Sequence, residues 1–378
     1  MESPRIARFL GFYCCRMWFL MGWVLSKREI NRTFVDPYYG LTTMRALTLT
    51  IALSFLLVSC GSCKSVQSGT TGTVPQQPGQ IFKILVWNIQ NGMWSDQGNN
   101  YDNFVLWVKQ YDPDVCIWCE SRSNYQTGKK TAMPDAGVYL PDGWGELAAR
   151  YGHSYWGKGG HRDRFPQVIT SKYPVEVVQQ IIGNEADSVV SHGAGHFKVM
   201  LADQPVNFVS LHTWPQKYAF GVSGTAAQEA SKAENGGDKY RLKEITYICE
   251  HTIAKSKDPE NEWWLMAGDF NAQSSLDNEQ YKYSLDDTRF LVHDYVLENT
   301  PYKDVIKQQH SAEFKSTTSG SSRIDFVYCS PAMMKQVTYA DVVKDGWTGT
   351  IVKDEATGFK HPSDHRPLIV YVKVPTRK

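Results

Sequence analysis

From Phe82 onward, short apolar runs alternate with amphipathic segments. "FKILVWN" (82–88) reads as a strand, "YDNFVLWVKQYDPD" (101–114) as a helix stopped by Pro113, and "VCIWCE" (115–120) as the next strand. Further strands are expected at 167–171, 175–182, 197–201, 206–212, 263–268, 323–329 and 367–374. Several are apolar at consecutive positions, the pattern of strands covered on both faces. Residues 226–256 are mostly helical with a break at Gly236-Gly237, and 216–225 form a loop. No repeat and no second linker interrupts 81–378, which reads as a single α/β domain.

The pattern changes upstream. "MRALTLTIALSFLLVSC" (44–60) has a short basic start, an apolar stretch and a small residue before Cys60. That is the layout of a secretory signal, and the stretch is shorter than the roughly 20 apolar residues a membrane span needs. "LVSC" resembles the bacterial lipobox, so Cys60 is expected to carry lipid and anchor an exported protein to a bacterial membrane, periplasmic or at the cell surface; an ordinary signal peptide or a short buried helix is the alternative. Residues 61–80, rich in Ser, Thr, Gly, Gln and Pro, read as a flexible tether. Residues 1–43 precede a complete signal and read as an over-extended start, with Met44 the expected initiator.

Composition narrows the class. With 42% hydrophobic and 21% charged residues the chain suits a globular protein. The first 59 residues hold seven Lys/Arg and three Asp/Glu, leaving 33 basic and 36 acidic residues beyond them, a net of −3. That balance argues against tight non-specific binding to duplex nucleic acid. Cys116 and Cys119 have zinc-like spacing but no second pair, and within a strand they point to opposite faces. Both are expected to be small buried residues.

Polar residues collect where the apolar runs stop. Asn88 ends the first strand, Glu120 the second, and His212 ends "VSLH". Asp269 and Asn271 follow "WLMAG", Asp325 lies in "RIDFVY", and Asp364 and His365 precede the last strand. Each alone is explained by a turn, a solvated surface or a satisfied core position. Together they make a set suited to metal-assisted phosphoester hydrolysis.

"VWN", "CE", "LHTWP", "GDFNA", "RIDFVY" and "SDHRP" occur in an order that resembles the endonuclease/exonuclease/phosphatase superfamily, from Ile84 to Val374. The resemblance implies a deoxyribonuclease-I-like fold, a four-layer sandwich of two mixed β-sheets flanked by helices. It also implies Mg²⁺, with Mn²⁺ as a substitute. Asn88, Glu120 and Asp364 would stand on the metal side. Asp269 would orient and deprotonate the attacking water, and Asn271 would donate to a phosphate oxygen. His365, held by Asp325, would face the phosphate, and His212 would contact phosphate or protonate the leaving group.

The resemblance implies a phosphate-ester substrate: nucleic acid, a phospholipid head group, or an inositol or sugar phosphate. His212 favours the nuclease branch. Lys158, His161, Arg162 and Arg164 would either meet an anionic substrate or form a solvated loop. Trp214, Tyr218 and Phe220 would either stack on a base or sugar or pack as core. A monomer is expected. A non-catalytic ligand-binding lipoprotein is the alternative of another class, and the complete polar set argues against it.

Overall fold

In the computed structural model, described for residues 78–122, 143–162, 165–182, 189–215, 217–350, 352–354 and 359–376, apolar runs become strands as their pattern requires. The strands are β1 (Gly79–Asn88), β2 (Val115–Cys119), β3 (Tyr155–Lys158), β4 (Val168–Ser171), β5 (Val175–Ile181), β6 (Ala194–Leu201) and β7 (Gln204–His212). They continue with β8 (Trp263–Asp269), β9 (Lys303–Asp304), β10 (Asp325–Cys329), β11 (Val337–Val342), β12 (Val352–Asp354), β13 (Phe359–His361) and β14 (Leu368–Pro375). All described residues belong to one compact unit, Thr73–Lys378. The expected signal, Cys60, Arg164 and all but the end of the tether lie outside the described residues.

Among the described residues the strands form two six-stranded sheets, β11-β14-β1-β2-β4-β3 and β5-β6-β7-β8-β10-β9, with β12-β13 as a separate ribbon. Each large sheet has a parallel pair at its centre, β1 with β2 and β7 with β8, flanked by antiparallel partners. Alternate side chains of the two sheets share one core: Phe82, Ile84, Val86, Val115 and Ile117 pack with Val206, Phe208, Leu265, Ala267 and Val327. The opposite faces are covered by helices. Asp102–Tyr111 and Trp144–Arg150 cover the first sheet. Gly236–His251 and Leu291–Asn299 cover the second. No helix among the described residues is long and apolar enough to cross a membrane.

Local differences from the sequence reading have local causes. The first helix stops at Tyr111, two residues before Pro113, because Asp112 turns left-handed and its N–H closes on the Val108 carbonyl. The break in the long helical stretch falls at Glu234–Asn235, where Asn235 adopts φ 55°, and Gly236 and Gly237 begin the next helix. Cys116 and Cys119 are buried free thiols on opposite faces. Cys116 packs under the first sheet's helices, while the Cys119 Sγ donates to the Leu211 carbonyl of the other sheet.

Two histidines are locked neutral in this framework. His153 bonds Thr170 Oγ1 (2.9 Å) and the Pro113 carbonyl (2.8 Å). His293 bonds Tyr328 Oη (2.8 Å) and the Ala272 carbonyl (3.1 Å). Burial pushes His153 down to about 4 and His293, beside the Arg323 guanidinium, down to about 3. Both are ordinary histidines when unfolded, so the unfolded chain binds more protons once pH drops below about 6.5. Their contribution is therefore present above that pH and lost as acid is added. In urea unfolding between pH 6.5 and 4.5, His293→Gln is expected to flatten the decline of stability by up to about 1.4 kcal/mol per pH unit. An unchanged slope would contradict the assignment.

Candidate active site

Strand periodicity builds the site. The inter-sheet column Phe82, Ile84, Val86 continues to Asn88, and Val115, Ile117 continues to Cys119 with Glu120 beyond it. In the second sheet Phe208 leads through Ser210 to His212, Leu265 and Ala267 lead to Asp269, and Cys329 and Val327 lead back to Asp325. Side chains two apart share a face, so these polar groups occupy the rim of the apolar core. Register aligns them across the second sheet, where Asp269 pairs with His212 of β7 and with Asp325 of β10. Gly268 makes the pairing close. At its φ of 147°, a Cβ would meet the Leu211 carbonyl oxygen at 1.9 Å.

The eight expected site residues converge here. The Asn88 amide donates to Asp269 Oδ2 (3.0 Å) and to Glu120 Oε1 (3.3 Å), while its Oδ1 accepts from the Gln90 N–H. Asn88, expected on the metal side, thus holds the two carboxylates with its amide hydrogens. Glu120 and Asn271 both sit in left-handed backbone, at φ 55° and 45°. Such conformations cost energy in non-glycine residues and cluster at functional sites. The Asn271 N–H donates to Asp269 Oδ1, and its side-chain amide donates to the Thr213 carbonyl (2.9 Å). One of the two amide hydrogens expected for phosphate is therefore committed to the loop.

His365 Nδ1 bonds Asp325 Oδ2 at 2.8 Å, and its Nε2 lies 3.8 Å from Asp269 Oδ2 and 4.0 Å from Asp364 Oδ1. Burial lowers its pKa, but the carboxylates of Asp325, Asp269 and Asp364 outweigh that and hold it well above the ordinary value. It is an imidazolium. Burial, with the Asp325 charge next, raises Asp269 well above the usual carboxylate range. His212 Nε2 stands 3.5 Å from Asp269 Oδ2, and burial, then His192 and His365, lowers His212 well below its usual value. His212 is neutral, and its Nδ1 has no hydrogen-bond partner.

The carboxylates provide the test for a metal. Glu120 is raised by burial and then by the Asp364 charge, and no lysine or arginine among the described residues pairs with either. Two carboxylates that repel each other, with His365 4.0 Å from Asp364 as the nearby positive group, suit a hard divalent cation. Asp269, Asp325 and His365 also bring three potential ligand atoms within 4.8 Å. There, however, the imidazolium already stands between the acids, so Glu120 and Asp364 fit the ion better.

The rim residues are less available than their sequence suggested. Arg162 Nε donates to the Ile182 carbonyl at 2.7 Å. Trp214 Nε1 donates to the Tyr218 carbonyl, with its ring against His192 and Phe220. Ser363 and Thr213, which the sequence pattern does not mark, also contact the site. Ser363 Oγ donates to the Asn88 carbonyl (2.8 Å) and accepts the His365 N–H (3.1 Å), tying the last loop to β1. Trp87 Nε1 adds a bond to the His365 carbonyl. A serine two residues before a histidine is a readable turn signal, but its bond to Asn88 spans 275 residues. Ser363→Ala is expected to cost about 1 kcal/mol of stability yet lower turnover about tenfold, because small misplacements of His365 are amplified in the reaction. Steady-state kinetics with thermal unfolding checks this; unaltered turnover would contradict it.

A family model described as the Endonuclease/Exonuclease/phosphatase family matches residues 85–365. No curated protein matches the chain. Among solved structures it is similar to an AP endonuclease from Archaeoglobus fulgidus, at 16% identity and a TM-score of 0.52, covering 78% of this chain and all 100% of that one. It is also similar to an endonuclease/exonuclease/phosphatase family protein from Bacteroides thetaiotaomicron (15% identity, TM-score 0.49, 78% of this chain and 98% of that one). A 3′ phosphatase from Neisseria bound to a product DNA hairpin is comparably distant (15%, 0.47, 76% and 98%). The first of these likenesses shows the fold: two six-stranded mixed sheets flanked by helices, the deoxyribonuclease-I-like arrangement.

Proposed function

The chain belongs to the endonuclease/exonuclease/phosphatase family, whose members are metal-dependent hydrolases of phosphate esters, and we propose that it is a Mg²⁺-dependent phosphodiesterase of the nuclease branch. The observation that carries this reading is the Asn88 amide bonded to Glu120 and Asp269 at once, with cationic His365 3.8 Å from Asp269. It sets a cation-seeking carboxylate, a base and a fixed positive charge around one small volume.

Asp269 takes a proton from the attacking water. A carboxylate whose proton affinity burial has raised is a better base than an exposed one, and Asn88 and the Asn271 N–H keep it aimed. The water oxygen bonds to phosphorus as the opposite P–O ester bond breaks. His365, oriented by Asp325, balances charge on the phosphoryl oxygens, and the second Asn271 amide hydrogen binds one of them. Neutral His212 offers an N–H beside the same centre, which supports a diester substrate in the nuclease branch. When bound at Glu120 and Asp364, Mg²⁺ would polarise the phosphate and stabilise the leaving oxygen.

Hydrolysis of bis-p-nitrophenyl phosphate and nicking of plasmid DNA are expected with Mg²⁺ and abolished by EDTA. Glu120→Ala, Asp269→Ala and His365→Ala should each lower kcat by about 10²-fold or more with the fold intact. Full activity of Asp269→Ala would refute the mechanism. Hydrolysis of inositol phosphates or sphingomyelin without nicking would move the chain to another branch.

A further inference from the structure

The helix Gly236–His251 covers the second sheet, yet two of its polar residues are buried, one turn apart: Arg241 and Glu244. Glu244 is wholly inaccessible. Its Oε1 accepts the Ser191 N–H (2.8 Å) and Ser191 hydroxyl (2.5 Å), and its Oε2 accepts the Trp214 N–H (2.9 Å). Arg241 donates to the Trp214 carbonyl at 2.8 Å. The helix therefore grips both residues' peptide groups around Trp214 and, with the same carboxylate, the chain at Ser191. A carboxylate with three donors is a costly object to bury, and burial indeed lifts Glu244 to about 7. Apolar packing of the helix does not require it.

Both gripped segments lead into the active site. Thr213, before Trp214, donates its N–H to the Asp269 carbonyl and accepts the Asn271 amide on its own carbonyl. His192, after Ser191, lies with its ring 4.4 Å from that of His212. We propose that Glu244 is a positioning residue for the hydrolytic reaction, fixing Asn271 through Thr213–Trp214 and His212 through Ser191–His192. The proposal rests on the phosphoesterase reading above. Glutamine is the informative replacement: its single carbonyl oxygen cannot serve donors on both sides, and its amide would confront either Ser191 or Trp214 with another donor.

The test is a double-mutant cycle on bis-p-nitrophenyl phosphate with saturating Mg²⁺. Glu244→Gln is expected to lower kcat about tenfold with KM within twofold, and its loss should shrink at least threefold in an Asn271→Ala background. Wild-type kcat in Glu244→Gln, or an equal loss in both backgrounds, overturns the positioning role. Should that variant not fold, Ser191→Ala removes only the hydroxyl bond. A loss of about threefold that disappears in a His212→Ala background supports the proposal, and no loss overturns it. An inactive wild-type chain would instead overturn the phosphoesterase reading beneath it, so the two failures are distinct.

Discussion

The amide of Asn88 joins the two sheets at the point where their shared core ends. It grows from the first sheet and holds Glu120 of that sheet and Asp269 of the other. The bond depends on how closely the sheets approach, which is set by Ile84, Val86, Ile117, Leu265 and Ala267 packed beneath it. Each of the larger of these side chains contributes roughly 1.5–3 kcal/mol by leaving water, against about 1 kcal/mol net for a hydrogen bond. The apolar layer therefore determines the geometry, and the amide reads it out. Gly268 and the Cys119–Leu211 bond serve the same closeness from either side.

That closeness has an electrostatic cost, and the cost is the chemistry. Burial raises the proton affinity of Asp269 and of Glu120, and neighbouring charges add to it, Asp325 for the first and Asp364 for the second. His365 is inserted among the acids, and their charges hold its pKa well above the ordinary value. Asp269 is left with a raised proton affinity, and no lysine or arginine among the described residues pairs with Glu120 or Asp364. In the proposed mechanism the site divides into a side suited to a cation and a side suited to phosphate, with Asn88 between them.

Much of this is legible in the sequence because the strand period is two. Counting back from Asn88 or Asp269 in steps of two meets only apolar residues, so each polar residue announces the end of a core column. What escaped notice lacked that signature. β3 ("YWGK") and β11 ("VTYADV") are edge strands, part exposed, and the buried columns of the centre are missing from them. Ser363 and Glu244 do their work through partners 275 and up to 53 residues away, a relation that no local pattern contains. Glu244 in particular looks like a solvent-facing helix residue until the fold buries it.

The partition of the site is open to direct measurement by titrating the protein with Mn²⁺ and following free ion by electron paramagnetic resonance. The account predicts binding that Glu120→Gln weakens by at least tenfold and that His365→Gln leaves within about twofold. Binding lost in His365→Gln and kept in Glu120→Gln would place the ion among Asp269, Asp325 and His365 and contradict it.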